Sequence, residues 1–339
     1  MIGVWLQRIA LVAPLLVAVA PAAAQVAVGT LQGSISYALD NGSKPEPRPV
    51  TGWIAYLDIS SGSFAPTVTG PASPACSAPD TVRMQQTNLF ATQYGTLVTI
   101  TANTGASTPP EWACGEPDGL LVSNGTLVNP PQPKGPILYL LSNSEARITT
   151  VPIPAIPYRN AVAGTTTTGL EGCPPGQQIG TLLVQDGKPG ACAIPKPTVI
   201  APRGAIGLDS TGKYLIIVII QGDESNNLGL KTKDFAQLMI ALHAQNAVNF
   251  DGGGSTTFVW QPGNPVPQPD ETLVNWINGA SVPPNPHKLT ITGKAVPVGQ
   301  GYCSNSLATL DFSACTQNTG SFRPVYASFG ETYKPAAKR

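Results

Sequence analysis

The sequence predicts an α+β fold, a strand-rich mixed sheet with a few short helices and loops stapled by disulfides. Three observations lead there. Glycine and proline number 35 each among 339 residues, which favours short strands and many turns over long helices. Apolar residues come in short runs bounded by turn residues, and a single stretch has a sustained helical period. Six cysteines are spread along a chain that opens like an exported protein, where thiols oxidise.

The opening is Arg8, the apolar run Ile9 to Ala20, and the small-residue stretch Pro21-Ala22-Ala23-Ala24. That is the order of a cleavable secretory signal, with Gln25 as the first mature residue. The run is shorter than the ~20 residues of a spanning helix, and Tyr214 to Ile220 is only strand-length. The expectation is no membrane span after signal cleavage and a secreted or periplasmic location. Lysine plus arginine balance aspartate plus glutamate at 19 each, so no basic footprint for nucleic acid exists. Expected units are residues 1–24 as signal, 25–86 as a strand-rich segment and 87–339 as the main domain.

Trp53 to Ile59 reads as the clearest early strand. Thr87 to Ala91 is too short to tell a helical turn from an extended lead-in to the strand Leu97 to Ile100. Asp118 to Val128 predicts a hairpin, because Asn124-Gly125 supplies the positive φ angles of a tight turn. The proline-rich stretch 151–158 and the stretch 165–197 lack a helical period and read as loops over a sheet. Ala205 to Leu208, a turn at 209–212, and the strand to Ile220 make a second hairpin. Thr232 is placed to cap a helix running through Asn246, with Asp234 near its positive end. Phe235, Leu238, Met239 and Leu242 give it one buried face. Strands 247–250 and 256–260 then flank the turn Asp251-Gly252-Gly253-Gly254-Ser255.

Proximity in sequence favours three cysteine couples: Cys76 with Cys114, Cys173 with Cys192, and Cys303 with Cys315. None forms a C-x-x-C. With only two histidines, His243 beside the apolar helix face and His287 in a proline-rich loop, a serine triad or a histidine-rich zinc site is disfavoured. No metal and no cofactor is expected.

Three consecutive glycines between apolar strands lose more backbone entropy on folding than other residues would. Either they form a structural hairpin turn capped by a side chain, or they let backbone N–H groups approach a ligand closely. A phosphate P-loop is excluded, since no lysine follows them. Asp251, Ser255 and Thr256 put a carboxylate and hydroxyls at the same spot, and Arg203 precedes the second hairpin. Carboxylate chemistry with an arginine and backbone donors suits cleavage at an anomeric carbon or a phosphate.

The block Asn246 to Thr257, centred on Asn249-Phe250-Asp251-Gly252-Gly253-Gly254-Ser255, closely resembles the signature of the phosphodiester glycosidase family. Pro202-Arg203-Gly204-Ala205-Ile206-Gly207 and Asn160-Ala161-Val162-Ala163-Gly164 resemble further family blocks in the right order, as do Pro117 to Gly125 and Arg323-Pro324-Val325. The chain departs from the family at Ile100-Thr101-Ala102-Asn103-Thr104-Gly105, where Ile-Asn-Gly-x-Phe-Phe is usual, and Gly204 stands where threonine is usual. The resemblance implies an exported hydrolase acting on a sugar 1-phosphodiester or a related glycosidic bond, with a glycan or sugar-phosphate as its partner. It implies Asp251 and Arg203 as catalytic residues, and Asn103, Asn160, Gly252, Gly253, Gly254, Ser255 and Thr256 as substrate-binding residues. Asp223 or Glu224 would be the second carboxylate. The alternative is a non-catalytic exported polysaccharide-binding protein on the same scaffold.

Overall fold

The computed structural model describes residues 26–37, 46–73, 76, 81–103, 105–106, 114–131, 135–151, 153, 158–164, 182–190, 200–222, 229–252, 255–260, 288–292, 301–303 and 327–333. Its elements begin with Val26–Tyr37 (β1), Glu46–Asp58 (β2), Phe64–Val68 (β3), Val82–Arg83 (β4) and the helix Thr87–Tyr94 (α1). Val98–Thr101 (β5), Gly105–Ala106 (β6), Cys114–Pro117 (β7), Leu121–Ser123 (β8), Thr126–Asn129 (β9), Ile137–Leu140 (β10), Ala146–Thr149 (β11) and Asn160–Ala163 (β12) follow. Then come Val184–Gln185 (β13), Lys188–Pro189 (β14), Arg203–Leu208 (β15), Tyr214–Ile220 (β16), the helix Thr232–Ala241 (α2) and Asn246–Asn249 (β17). The last are Thr257–Trp260 (β18), Lys288–Thr292 (β19), Gly301–Cys303 (β20) and Ser328–Tyr333 (β21).

Every described strand pair between these elements is antiparallel. The largest sheet runs β14-β13-β17-β15-β16-β2-β1-β19, and two five-stranded sheets run β11-β10-β12-β8-β9 and β20-β18-β5-β21-β3. Strand β16 explains why its sequence is an unbroken apolar run. Leu215, Ile217 and Ile219 face the main core shared with the five-stranded sheets, while Ile216, Val218 and Ile220 face a second core under α2. A central strand covered on both faces needs apolar residues at every position. Strands β2 and β3, from the segment before residue 87, pair with β16 and β21, so that segment is built into two of the sheets.

Both predicted hairpins form. Asn124 and Gly125 take φ of 48° and 78° between β8 and β9, and β15 pairs with β16 from Arg203–Ile220 to Leu208–Leu215. The open stretch at residue 87 is helical: α1 runs to Tyr94 and is closed by Gly95 at φ 59°. Cys76 and Cys114 are bonded, with Cα atoms 5.9 Å apart. Cys173, Cys192 and Cys315 lie outside the described residues.

Two expectations are corrected. The helix from Thr232 stops at Ala241 instead of reaching Asn246, and Lys231, not Thr232, holds the cap position. The cap is a backbone one, since the Lys231 carbonyl accepts from the N–H groups of Asp234 and Phe235. His243 turns the chain at φ 68°, so that Gln245 N–H donates to the Leu208 carbonyl and Asn246 enters the sheet opposite Leu208. A helix continuing to Asn246 would forfeit that ladder. Within 165–197, read as loop, β13 and β14 form a hairpin at the sheet edge through Asp186 and Gly187, at φ 51° and 71°. An Asp-Gly turn is a hairpin signal, but strands this short show no alternation.

Candidate active site

The ladder between β15 and β17 sets the geometry. Ala205 pairs with Asn249, and the ladder continues one step further as Phe250 N–H donates to the Gly204 carbonyl at 2.8 Å. The ladder thereby brings Arg203, at the start of β15, and Asp251, just past β17, to the same end of the two strands.

Beyond Phe250 the chain leaves the eight-stranded sheet. Asp251 N–H donates to the Ala102 carbonyl at 2.9 Å, just past the end of β5 in the neighbouring sheet. Asp251 Oδ1 accepts from Gly252 N–H at 2.9 Å, and Ser255 N–H closes the turn on the Gly252 carbonyl at 3.3 Å. The chain then enters β18, which pairs with β5. Strands β17 and β18 therefore lie in different sheets, and the glycine segment is a bridge between sheets, not the tip of a hairpin.

Arg203 is buried at 8% exposure, and its Nε donates to the Leu230 carbonyl at 3.1 Å. Its Nη1 lies 3.8 Å, and the Pro202 carbonyl 3.0 Å, from where a Cβ would stand on Gly252. A side chain at 252 would crowd the Pro202 carbonyl and stand in van der Waals contact with the guanidinium, which favours a glycine there. Gly164 has the same kind of constraint, since a Cβ would come within 2.6 Å of the Asn249 carbonyl oxygen and Val248 Cγ1.

Asn103 is fully buried beside this corner, two residues past β5. Its Nδ2 donates to the Asp118 carbonyl at 2.8 Å. Its Oδ1, the Asn249 Oδ1 and the Thr256 Oγ1 are buried side-chain oxygens with no hydrogen-bond partner among the described residues. Leaving such an atom unpaired costs about 1–3 kcal/mol, so three close to one turn suit a ligand that brings hydroxyl or amide donors.

Of the residues singled out in the sequence, Asp251, Arg203, Gly252, Asn103, Ser255 and Thr256 converge here. Asn160 does not. It sits at the far end of β12, about 13 Å along the strand from Gly164, and its amide is committed to the fold: Oδ1 accepts from Asn124 N–H at 2.9 Å and Nδ2 donates to the Pro66 carbonyl at 3.0 Å. From the block containing Asn160 it is Gly164 that reaches the site. Gly253, Gly254, Asp223, Glu224 and His287 lie outside the described residues. Sequence reasoning missed Thr101, whose Oγ1 donates to the Ser255 carbonyl at 2.6 Å. It also missed Asp118, a half-buried carboxylate-bearing residue whose backbone holds Asn103. A groove of about 590 Å³ lies at the opposite end of β15 and β17, where Asp209 is already engaged by Thr211 and Tyr214.

The antiparallel α+β scaffold thus brings a carboxylate, an arginine and the two ends of a glycine segment to one corner. The family description "phosphodiester glycosidase" matches residues 90–282, a span that includes every one of the convergent residues. The chain belongs to the phosphodiester glycosidase family. Its fold is similar to the catalytic domain of zebrafish N-acetylglucosamine-1-phosphodiester alpha-N-acetylglucosaminidase auto-inhibited by its pro-peptide. That likeness has a TM-score of 0.52 at 14% identity and covers 94% of this chain and 89% of that one. A hypothetical protein from Synechocystis is similar with a TM-score of 0.43 at 13% identity, covering 68% of this chain and 57% of that one. No curated protein matches the chain. Among the described residues, no helix is long and apolar enough to cross a membrane.

Proposed function

We propose that the protein is an exported hydrolase that cleaves a sugar 1-phosphodiester, or a related glycosidic bond, and releases a free sugar. The observation that carries this reading is the gathering of Asp251 and Arg203 at one end of β15 and β17, with Arg203 Nη1 beside Gly252, inside the span that matches the family. In a glycosyl phosphodiester the phosphate is already a competent leaving group, so a strong general acid is less needed than in an ordinary glycosidase. The bond from the anomeric carbon to oxygen breaks, its electron pair leaves with the phosphate monoester, and water supplies the new hydroxyl. Asp251 takes the proton of that water, or first attacks the anomeric carbon itself. Arg203 offers a planar fork of donors to the phosphate oxygens. Gly253 and Gly254 add backbone N–H groups, the Gly252 N–H being held by Asp251 Oδ1, while Asn103, Ser255 and Thr256 position the sugar. Asp118 joins Asp223 and Glu224 as a candidate second carboxylate. The signal-like opening and the Cys76–Cys114 bond support export.

The test is a screen of the purified mature protein against alkyl and nucleoside diesters of α- and β-hexose 1-phosphates, following release of reducing sugar. Asp251→Asn is expected to lower turnover at least ~100-fold with the fold intact. Arg203→Lys should also harm turnover, since a point charge does not reproduce a bidentate phosphate contact. Wild-type rates in both variants on a confirmed substrate would show that the assignment is wrong. Saturable glycan binding without any turnover would favour the non-catalytic alternative.

A further inference from the structure

We infer that Thr101 is a positioning residue for the glycine bridge, acting at the end of a one-way chain of buried hydroxyls. The inference rests on the hydrolase reading for its catalytic consequence, though not for its geometry. Ser328 Oγ donates to Thr87 Oγ1 at 3.2 Å, Thr87 Oγ1 lies 3.1 Å from Thr101 Oγ1, and Thr101 Oγ1 donates to the Ser255 carbonyl at 2.6 Å. All three side chains are no more than 2% exposed. Each hydroxyl has one hydrogen. Because the Ser255 carbonyl can only accept, the Thr101 hydrogen is committed to it. Thr87 must then donate to Thr101, and Ser328 to Thr87. The direction of the whole chain follows from its last bond.

Two consequences follow for the site. Thr101 and Ala102 are adjacent, so the end of β5 grips the bridge on both sides: the Ala102 carbonyl holds Asp251 at the entry, and the Thr101 hydroxyl holds Ser255 at the exit. The separation between the carboxylate-bearing residue and the backbone of Ser255 is thus set by two neighbouring residues of one strand. The Ser255 carbonyl also belongs to the peptide that carries the Thr256 N–H. Chained hydrogen bonds polarise one another, so a carbonyl fed by this chain, with a second and longer contact from Thr257 Oγ1 at 3.3 Å, makes its own N–H a stronger donor toward an anion.

The experiment compares wild type with Thr101→Val, which keeps the shape and loses the hydroxyl, Thr101→Ser, which keeps the hydroxyl, and Thr87→Val, which leaves the last bond in place. Hydrogen–deuterium exchange is followed over residues 249–258, and kcat and KM are measured on whichever hexose 1-phosphate diester the wild type hydrolyses. Thr101→Val is expected to speed exchange in that segment and to lower kcat about 10- to 100-fold with little change in KM, the penalty of a misplaced catalytic group. Thr101→Ser should restore both, and Thr87→Val should show a smaller loss of the same kind, which also serves if Thr101→Val does not fold. Unchanged exchange in Thr101→Val, or a loss in Thr101→Ser as large as in Thr101→Val, overturns the inference. Faster exchange with unchanged kcat also overturns it. If no diester is hydrolysed by wild type but exchange responds as expected, the strap stands and the hydrolase reading falls.

Discussion

Glu331 is fully buried on β21, its two carboxyl oxygens lack hydrogen-bond partners among the described residues, and it lies opposite Val98 and Pro66 on the face shared with Phe329 and Tyr333. Burial pushes its pKa well above the ordinary glutamate value of 4.5, because the charged form has no compensating partner there. The folded state therefore holds a proton that the unfolded state releases as pH rises through the ordinary carboxylate range. The unfolded chain then binds fewer protons than the folded one, and stability falls with increasing pH until the raised pKa is passed. While the folded carboxyl stays protonated, this group removes about 1.4 kcal/mol per pH unit. Glu331→Gln has nearly the same shape and does not titrate. Urea denaturation of both proteins at a series of pH values above the ordinary glutamate range should show the variant gaining on wild type as pH rises, with a slope of at most about 1.4 kcal/mol per pH unit. A stability difference that stays flat with pH would refute the reasoning, since it would mean that Glu331 ionises in the folded protein at its usual pH.

Two further outcomes test the packing around the site and its border. Gly164→Ala should destabilise the fold by about 1–3 kcal/mol, because its Cβ would fall within 2.6 Å of the Asn249 carbonyl oxygen and Val248 Cγ1; thermal melting reads this, and an unchanged Tm would count against the close approach. Replacing Cys76 and Cys114 by serine opens a loop with a sequence separation of 38 and should cost up to ~4 kcal/mol in the unfolded-chain entropy model, read by denaturant titration against the oxidised wild type.

What the sequence made legible was what it encodes locally. The Asn124-Gly125 turn, the glycine cluster and the two-faced apolar run of β16 each announce themselves within a few residues, through backbone conformation or period. Partnership between distant segments has no such signature. Nothing near Trp53 says that it will lie beside Ile219, and nothing near Gly252 says that β17 and β18 belong to different sheets. The same divide runs through the site. Asp251 and Arg203 stand out through their surrounding blocks, whereas Thr101 looks like an ordinary strand threonine until the fold brings Ser255 to it. Asn160 shows the opposite pattern. A polar residue at the head of a resembling block suggests a ligand contact, yet its amide ties a hairpin turn to Pro66 in the middle of β3.

The order in which strands sit in the sheets governs how this chain can be made. β1 and β2 pair with each other along their whole length, but β1 also pairs with β19, β2 with β16 and β3 with β21, so the outer edges of that early hairpin and the whole of β3 depend on partners far along the sequence. Pairings across such separations close slowly, because loop entropy is lost before contacts compensate. The eight-stranded sheet and the sheet that holds β3 therefore close only when those distant segments are present, and the β1–β2 hairpin keeps an unpaired edge on each side until then. The same long-range connectivity that makes these sheets slow to close ties the early strands to the late ones once they have formed.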